Sequence, residues 1–163
     1  MTTKPEGWVQ LFRMSGGVMS GILDGINILD LSRILAGPYT AQMLSDLGAN
    51  ITKIEAPWGD DTRGWGPPFA TDFDGDRVAA YFLCCNRGKT ILQMDLKEEK
   101  DRLMELIEWA DVIVENFKPG TLERLIGPLP NDTIVCSISG YGATGPRRDE
   151  PGYDLALQAR SGI

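Results

Sequence analysis

A strand–helix–strand unit in residues 26–63 limits the possible folds more than any other part of the chain. Residues 26–29 contain a short apolar run that is typical of a buried strand. Pro38 can occupy the first position of a helix, and Gly48 is a natural helix stop. Between them, four residues recur at helical spacing: Thr40, Met43, Leu44 and Leu47. Residues 51–57 predict a second strand, so the unit indicates a right-handed, parallel βαβ crossover.

The rest of the chain repeats this alternation. Further strands are predicted near residues 90, 112 and 133, and short helices over residues 78–86 and 119–126. Strands that alternate with helices in this way favour an α/β fold. We therefore expect an open, parallel, Rossmann-like sheet with helices on both faces.

One further helix is predicted between the strands near residues 90 and 112. Asp95 is a candidate N-cap, and Glu98 three residues later completes a capping-box pattern. An apolar stripe extends this helix to about Ala110.

The loop after the first strand is the first candidate ligand site. In open parallel sheets, ligands bind at the carboxyl ends of strands and against helix N-termini. Residues 33–38 occupy that place here, and Ala36 and Gly37 are small enough to let a ligand approach the backbone.

Composition excludes several classes of function. The net charge of −7 argues against nucleic acid as the main partner, and no apolar run is long enough to cross a membrane. Three cysteines give no disulfide framework, which favours a reducing compartment. The sequence has no histidine, so Ser-His and Cys-His catalysis and histidine metal sites are excluded. We assign no metal site.

Residues 1–20 are expected to be an irregular leader. Trp8, Val9, Leu11 and Phe12, with Arg13, weakly match an amphipathic targeting segment, whereas Glu6 and the scarcity of Arg weaken that match. A mitochondrial import signal and a plain disordered tail both remain open. The expected compartment is mitochondrial or cytoplasmic.

Two further motifs have competing interpretations. Asp72, Asp74 and Asp76 alternate as in a calcium loop, but position 83 is Leu where a calcium loop has Glu, so a solvated loop is favoured. Residues 140–145 spell G-x-G-x-x-G, which alone hints at a nicotinamide-dependent oxidoreductase. A Pro-Arg-Arg sequence follows where a helix should run, so a glycine turn is favoured.

Six segments together resemble the class III CoA-transferases, a family that includes formyl-CoA transferase, carnitine CoA-transferase and α-methylacyl-CoA racemase. They are ILDLSRILAGPYTAQMLSDLGANITKIEAP, GDDTRGWGPPF, NRGKTILQMDLK, ADVIVENFKPGTLERL, SISGYGATGP and GYDLALQARSGI, and they span nearly all of residues 23–163 in order. The second segment is most similar to the succinyl-CoA:glutarate branch. The resemblance implies that residues 21–163 are the N-terminal part of the large transferase domain, truncated relative to the family, without its small domain and returning C-terminal segment.

The resemblance also implies a nucleophile. From the residues alone, Asp154 at the start of the last predicted helix is most simply a cap or a partner of the helix dipole. In the family, the matching aspartate attacks the acyl-CoA carbonyl and forms an anhydride and then an aspartyl thioester, so the resemblance favours Asp154 as the catalytic residue. A carboxylate nucleophile of this kind divides one difficult exchange into easier steps.

The resemblance assigns the CoA contacts to three places in the chain. They are Leu35 and Ala36 beside the thioester; Met94, Asp95, Leu96 and Lys97 near the adenine; and Asn116, Phe117, Lys118 and Arg124 along the pantetheine and phosphates. The basic members can meet phosphate charge. Ala56 stands where the family has an arginine, which leaves one phosphate contact either absent or supplied by Arg63.

The implied activity is transfer of CoA from an acyl-CoA such as succinyl-CoA to a carboxylic acid acceptor, of which a dicarboxylate such as glutarate is one candidate. CoA thioester is the substrate, no other cofactor is implied, and the full-length family forms interlocked homodimers. An inactive CoA- or partner-binding fragment is the alternative. An acyl-CoA racemase is disfavoured because that chemistry pairs a histidine with the aspartate.

Overall fold

The computed structural model describes residues 9–10, 21–72, 75–130 and 132–163. The strands are β1 Val9–Gln10, β2 Asn27–Asp30, β3 Asn50–Glu55, β4 Phe69–Thr71, β5 Arg77–Ala79, β6 Thr90–Gln93, β7 Val112–Glu115 and β8 Ile134–Ser137. The helices are α1 Ala36–Asp46, α2 Ala80–Asn86, α3 Lys100–Trp109, α4 Thr121–Ile126 and α5 Asp154–Ser161, and Asp61–Gly64 forms a 3₁₀ turn.

The main sheet has the strand order β1-β6-β3-β2-β7-β8. β6, β3, β2, β7 and β8 are parallel, whereas β1 joins the edge of β6 antiparallel. From β2 the chain builds outward through β3 to β6, then returns to the other side of β2 for β7 and β8. The direction of growth therefore reverses between β2 and β7, and ligands of open α/β sheets bind at the carboxyl ends of the strands at such a reversal. The predicted open parallel sheet is confirmed.

Both faces of the sheet are covered by helices. Alternate residues of β2 point to opposite faces, because side chains alternate along a strand. Ile28 packs in a cluster with Ala41 of α1, whereas Leu29 packs with Leu103 and Ile107 of α3. Complete burial of one such aliphatic side chain stabilises the fold by about 1.5–3 kcal/mol. The apolar stripe of α3 is thus a principal support of the sheet.

The structure corrects two details of the predicted elements. Residues 77–79 are not helical: they form β5, which pairs with β4 in a hairpin that places Phe69 opposite Ala79. α3 begins at Lys100 rather than beside Asp95, so the predicted cap is wrong. The Asp95 carboxylate instead accepts the N–H of Lys97, two residues on, at 2.9 Å. Aspartate commonly closes such a local turn, which competes with helix initiation.

The glycine-rich segment after β8 forms turns and no helix, as predicted. Gly142 and Gly145 have φ values of +78° and +93°, in the left-handed region that glycine favours. Gly140 lies against Gly152 so closely that a Cβ on Gly140 would be 2.3 Å from the Cα of Gly152. This backbone contact holds the start of α5, and therefore Asp154, close to the end of β8.

Some sequence predictions fall on residues that the structure does not describe. Asp74 of the candidate calcium loop lies outside the described residues, as does the 1–20 leader apart from Val9–Gln10, which forms β1. Among the described residues, no helix combines the length and the apolar character needed to cross a membrane.

Candidate functional site

A pair of hydrogen bonds joins the segments that follow β2 and β7. The backbone N–H of Arg33 donates to Asn116 Oδ1 at 2.9 Å, and Asn116 Nδ2 donates to the Arg33 carbonyl oxygen at 2.8 Å. Arg33 follows β2 and Asn116 follows β7. The structure thus brings the predicted residue Asn116 against the predicted ligand loop, at the point where doubly wound sheets bind ligands.

The loop between β2 and α1 carries a strained backbone. Ile34 has a φ of +71°, which is rare for a residue other than glycine and unfavourable for a β-branched one. The next two residues, Leu35 and Ala36, are exposed. Leu35 is the N-cap residue of α1 and has no side-chain acceptor, so the first N–H groups of the helix stay open to a ligand.

A buried ion pair lies beneath this loop. Lys53 Nζ donates to the carbonyl oxygen of Ser32 at 2.7 Å and lies 3.3 Å from Asp60 Oδ2, with both side chains buried. Asp60 also accepts the N–H and the hydroxyl of Thr62, at 3.0 and 2.7 Å. Burial alone would raise the pKa of Asp60, but the Lys53 charge and the bonds from Thr62 outweigh it and lower the pKa. The Lys53–Asp60 pair therefore fixes the position of the loop through the Ser32 carbonyl.

A second buried pair joins three elements around the same loop. Lys89 Nζ contacts Asp30 Oδ2 at 2.8 Å, the carbonyl oxygen of Pro38 at 2.8 Å and Asn86 Oδ1 at 3.1 Å. Burial lowers the pKa of Lys89, and the adjacent Asp30 carboxylate opposes that effect. These three acceptors use all three ammonium protons, so Lys89 holds the end of β2, the first turn of α1 and the end of α2 together.

Arg63 is the suggested substitute for the arginine that the family has at position 56, and its side chain already pairs with Glu55. Its guanidinium donates to both carboxylate oxygens of Glu55, at 2.7 and 2.9 Å, and lies 4.0 Å above the ring of Phe82. A bidentate pair of this kind is among the stronger side-chain contacts. Glu55 uses two of the five guanidinium N–H groups and the side chain is 28% exposed, so Arg63 keeps donors that a phosphate group can reach.

Two of the three groups of residues assigned to CoA follow β6 and β7, which are not neighbouring strands. β6 and β7 are separated by β3 and β2. Three strand intervals amount to about 14 Å, since neighbouring strands lie about 4.8 Å apart. The two groups of assigned residues therefore suit an extended ligand rather than a compact one.

Exposure divides the assigned side chains into two kinds. Met94 is fully buried in the core, and Leu96 and Phe117 pack against that core. Asp95 is half-buried in its local turn. The basic side chains face solvent: Lys97, Lys118 and Arg124, the last of which donates to the hydroxyl of Thr121 at 2.9 Å.

Asp154 is the first residue of α5 and is exposed to solvent. Its carboxylate accepts a hydrogen bond from Gln158 Nε2 at 2.7 Å and forms no ion pair with any described residue. The position in the first turn favours negative charge.

The charge of Asp154 acts on a tyrosine of α2. The pKa of Tyr81 is raised first by burial, then by Cys85 and Cys84, and next by Asp154. The Tyr81 ring lies 5.5 Å from the ring of Trp65. The charge of the candidate nucleophile is thus felt at an aromatic residue of α2, a relationship that the sequence did not predict.

Sequence reasoning also missed the buried charges. The signal for Lys53 is present, since a lysine interrupts the apolar strand of residues 50–55. A fully buried lysine requires a partner, but only the fold identifies Asp60 as that partner.

Comparison with known proteins places these features in a family. The model of CoA-transferase family III matches residues 23–163. A succinate–glutarate CoA-transferase of Agrobacterium fabrum is 44% identical over 151 residues, covering 86% of this chain and 38% of that protein. An acetyl-CoA:oxalate CoA-transferase of Acetobacter aceti is 42% identical over 152 residues, with coverage of 88% and 38%.

A solved structure gives the same result. The crystal structure of a CAIB/BAIF family protein from Brucella suis superposes with a TM-score of 0.80 at 45% identity, covering 88% of this chain and 40% of that one. The chain thus spans about two fifths of the length of these three relatives. Because the family model covers most of the sequence and the fold agrees, the chain belongs to CoA-transferase family III.

Proposed function

We propose that this protein acts in the transfer of CoA from an acyl-CoA donor to a dicarboxylic acid, with Asp154 as the nucleophile. The observation that carries the proposal is the exposed Asp154 carboxylate in the first turn of α5, free of any ion pair with the described residues, in a chain of this family. The two relatives described above are named for glutarate and oxalate, both dicarboxylates, which supports an acceptor of that class.

The proposed reaction uses the carboxylate twice. Asp154 attacks the thioester carbonyl of the donor, and CoA thiolate leaves as a mixed anhydride forms. The thiolate then attacks the Asp154 carbonyl, which releases the donor acid and leaves an aspartyl-CoA thioester. Attack by the acceptor acid and a second attack by the thiolate give the new acyl-CoA and restore Asp154. Each tetrahedral oxyanion needs nearby N–H donors, and water must be excluded from the anhydride.

The proposed CoA site follows the carboxyl edge of the sheet. Leu35 and Ala36 would lie beside the thioester, because the open first turn of α1 supplies N–H donors there. Lys97, Lys118 and Arg124 would meet the phosphates, since all three are exposed at that edge. Met94, with its side chain in the core, would offer only backbone atoms to the adenine.

Intact-mass spectrometry after mixing the protein with succinyl-CoA tests the nucleophile. We expect a covalent succinyl or CoA adduct on the wild type and none on Asp154→Ala. Asp149→Ala is the matched control, because Asp149 is another exposed aspartate five residues earlier, and it should keep the adduct. An adduct that persists in Asp154→Ala would refute the assignment.

Calorimetry with CoA separates the transferase from the alternative, a binding-only protein. Asp154→Ala should bind CoA as the wild type does, since the aspartate acts on the acyl group. CoA binding by the wild type without any adduct would favour the binding-only function. A homodimer is also part of the proposal, and light scattering on the complete protein checks it.

A further inference from the structure

Two adjacent cysteines near the end of α2 hold their sulfur atoms in contact. The Sγ atoms of Cys84 and Cys85 lie 3.5 Å apart. Cys84 is exposed, and its thiol donates to the carbonyl oxygen of Tyr81 at 3.0 Å, whereas Cys85 is 1% exposed. One sulfur is therefore reachable from solvent, and the second lies directly behind it.

We propose that Cys84 and Cys85 form a dithiol site that binds trivalent arsenicals through both sulfur atoms. None of the residues assigned to CoA is part of this pair, and the proposal does not depend on the transferase activity.

The separation of the sulfur atoms suits a single bridging atom. Bonds from sulfur to a thiophilic atom are about 2.3 Å long, as for zinc, and two such bonds spanning 3.5 Å enclose an angle of about 100° at the bridging atom. That angle is close to the pyramidal geometry of three-coordinate arsenic. The thiol pair can therefore close the chelate with little movement of either side chain.

A disulfide fits this pair less well than a chelate. Consecutive Cα atoms are about 3.8 Å apart, shorter than the roughly 4.4 Å at which disulfide-bonded pairs begin. Both cysteines lie within α2, so a direct S–S bond would distort the helix. A bridging atom adds length and avoids that distortion.

Because the thiols are protonated, the pair favours binding of an arsenical over binding of a zinc ion. Zinc binding requires thiolates, whereas burial and the adjacent Cys84 raise the pKa of Cys85 to about 11. Zinc also takes four ligands, and the described part of the chain contains no group of three or more Cys, His, Asp or Glu residues placed to hold a metal. An arsenic oxide reacts with neutral thiols: two S–H and the As–O bonds break, two As–S bonds form, and the oxygen leaves as water. No electron is transferred.

Phenylarsine oxide is the probe for this site. Intact-mass spectrometry should show one phenylarsine unit bound to the wild type, with the loss of two thiol hydrogens. The adduct should survive an excess of monothiol and be removed by a small dithiol, since a chelate reforms faster than a single bond. Cys84→Ser and Cys85→Ala should lose the monothiol-resistant adduct, while Cys136→Ser should keep it. Alanine suits the buried Cys85 site because free cysteine packs there as a small hydrophobic group.

Circular dichroism and thermal unfolding show whether the folded protein forms the site. Binding to the preformed pair should leave the helical signal unchanged and raise the Tm, because a ligand that prefers the folded state stabilises it. The proposal is overturned by a resistant adduct on Cys84→Ser or Cys85→Ala, by its loss in Cys136→Ser, by its absence from the wild type, or by a Tm that falls on binding.

Discussion

The side chain of Asn116 pairs with both backbone groups of Arg33, accepting from the N–H at 2.9 Å and donating to the carbonyl oxygen at 2.8 Å. The Asn116 side chain thus extends the hydrogen bonding between β2 and β7 beyond the last residues of the two strands. The loop that leads to Leu35 and Ala36 is held at one end by this amide and from below by Lys53.

Replacing Asn116 with alanine should free the Arg33 backbone. Two hydrogen bonds are lost, one donor and one acceptor, and we expect the free energy of unfolding to fall by about 1–2 kcal/mol. Urea denaturation measures the change. Asn50→Ala is the matched control, because Asn50 is an exposed asparagine with one side-chain bond, to Asn27 at 3.2 Å, and its loss should cost less than about 0.5 kcal/mol. Equal losses for the two variants would show that Asn116 does not hold the loop.

Removing Lys89 should destabilise the protein far more than removing an exposed basic residue. Lys89→Met leaves the Asp30 carboxylate buried without its partner, which typically costs about 3–5 kcal/mol. Arg87→Met is the control two residues away: its pair with Asp46 is about half exposed, so its loss should cost about 1 kcal/mol or less. Denaturant unfolding gives both values.

A double variant separates the charge from the packing at this site. Asp30→Leu combined with Lys89→Met removes both buried charges and should recover much of the lost stability, because an apolar replacement for a buried pair is often neutral. If the double variant is as unstable as Lys89→Met, the unpaired Asp30 carboxylate is not the cause.

Because Asp60 is buried and paired, the free energy of unfolding should depend on pH in the acid range. Its folded-state pKa is lowered, so the unfolded chain binds a proton more readily than the folded one. The stabilisation is therefore complete above the ordinary aspartate pKa of about 3.9 and is lost as the pH falls through the lower folded value. Urea unfolding of the wild type and Asp60→Asn should differ most near neutral pH and converge below about pH 4.

Asp61→Asn serves as the control for this pH dependence. Asp61 is the adjacent residue, and its pair with Arg33 is about half exposed, so its replacement should change stability by about 1 kcal/mol or less. The wild type and Asp60→Asn should not differ in free energy of unfolding by the same amount at neutral and acid pH. A constant difference would contradict the role of the Lys53–Asp60 pair.

The order of strands and helices could be predicted because local patterns determine it. The apolar run of β2, the helical spacing in α1 and the stripe of α3 each depend on residues close in sequence. The β4–β5 hairpin was not predicted because each of its strands has only three residues and lies in a segment rich in Gly, Pro and Asp. Asp95 failed as a helix cap for a related reason: its carboxylate bonds the nearest N–H, two residues away.

The candidate site was predictable only in part. The sequence indicates a ligand loop after β2 and polar residues after β7, but the bonds between Arg33 and Asn116 join residues 83 positions apart. No local pattern specifies such a pair, nor the effect of the Asp154 charge on Tyr81. The proposed role of Asp154 came from the resemblance to a family, whereas its hydrogen bond and exposure are known only from the fold.

The electrostatic effect of Asp154 on Tyr81 can be checked without any substrate. The negative charge of Asp154 opposes ionisation of the phenol and helps to raise the pKa of Tyr81, after the larger effects of burial and of the two cysteines. Replacing Asp154 with asparagine removes that charge at nearly constant size. We expect the pKa of Tyr81 to fall toward its ordinary value, measured by ultraviolet titration of the phenol, with Tyr81→Phe used to subtract the other tyrosines.

Asp149→Asn provides the comparison for this titration, because it removes an equal charge from an exposed aspartate that is paired with Arg148. Its Tyr81 titration should overlay that of the wild type, since Asp149 is not among the principal charges that raise the pKa of Tyr81. If Asp154→Asn and Asp149→Asn shift the titration equally, or neither shifts it, the charge of Asp154 does not act specifically on Tyr81. The rings of Trp65 and Tyr81 would then have no part in shielding an anhydride on Asp154 from water, and other residues would have to do so.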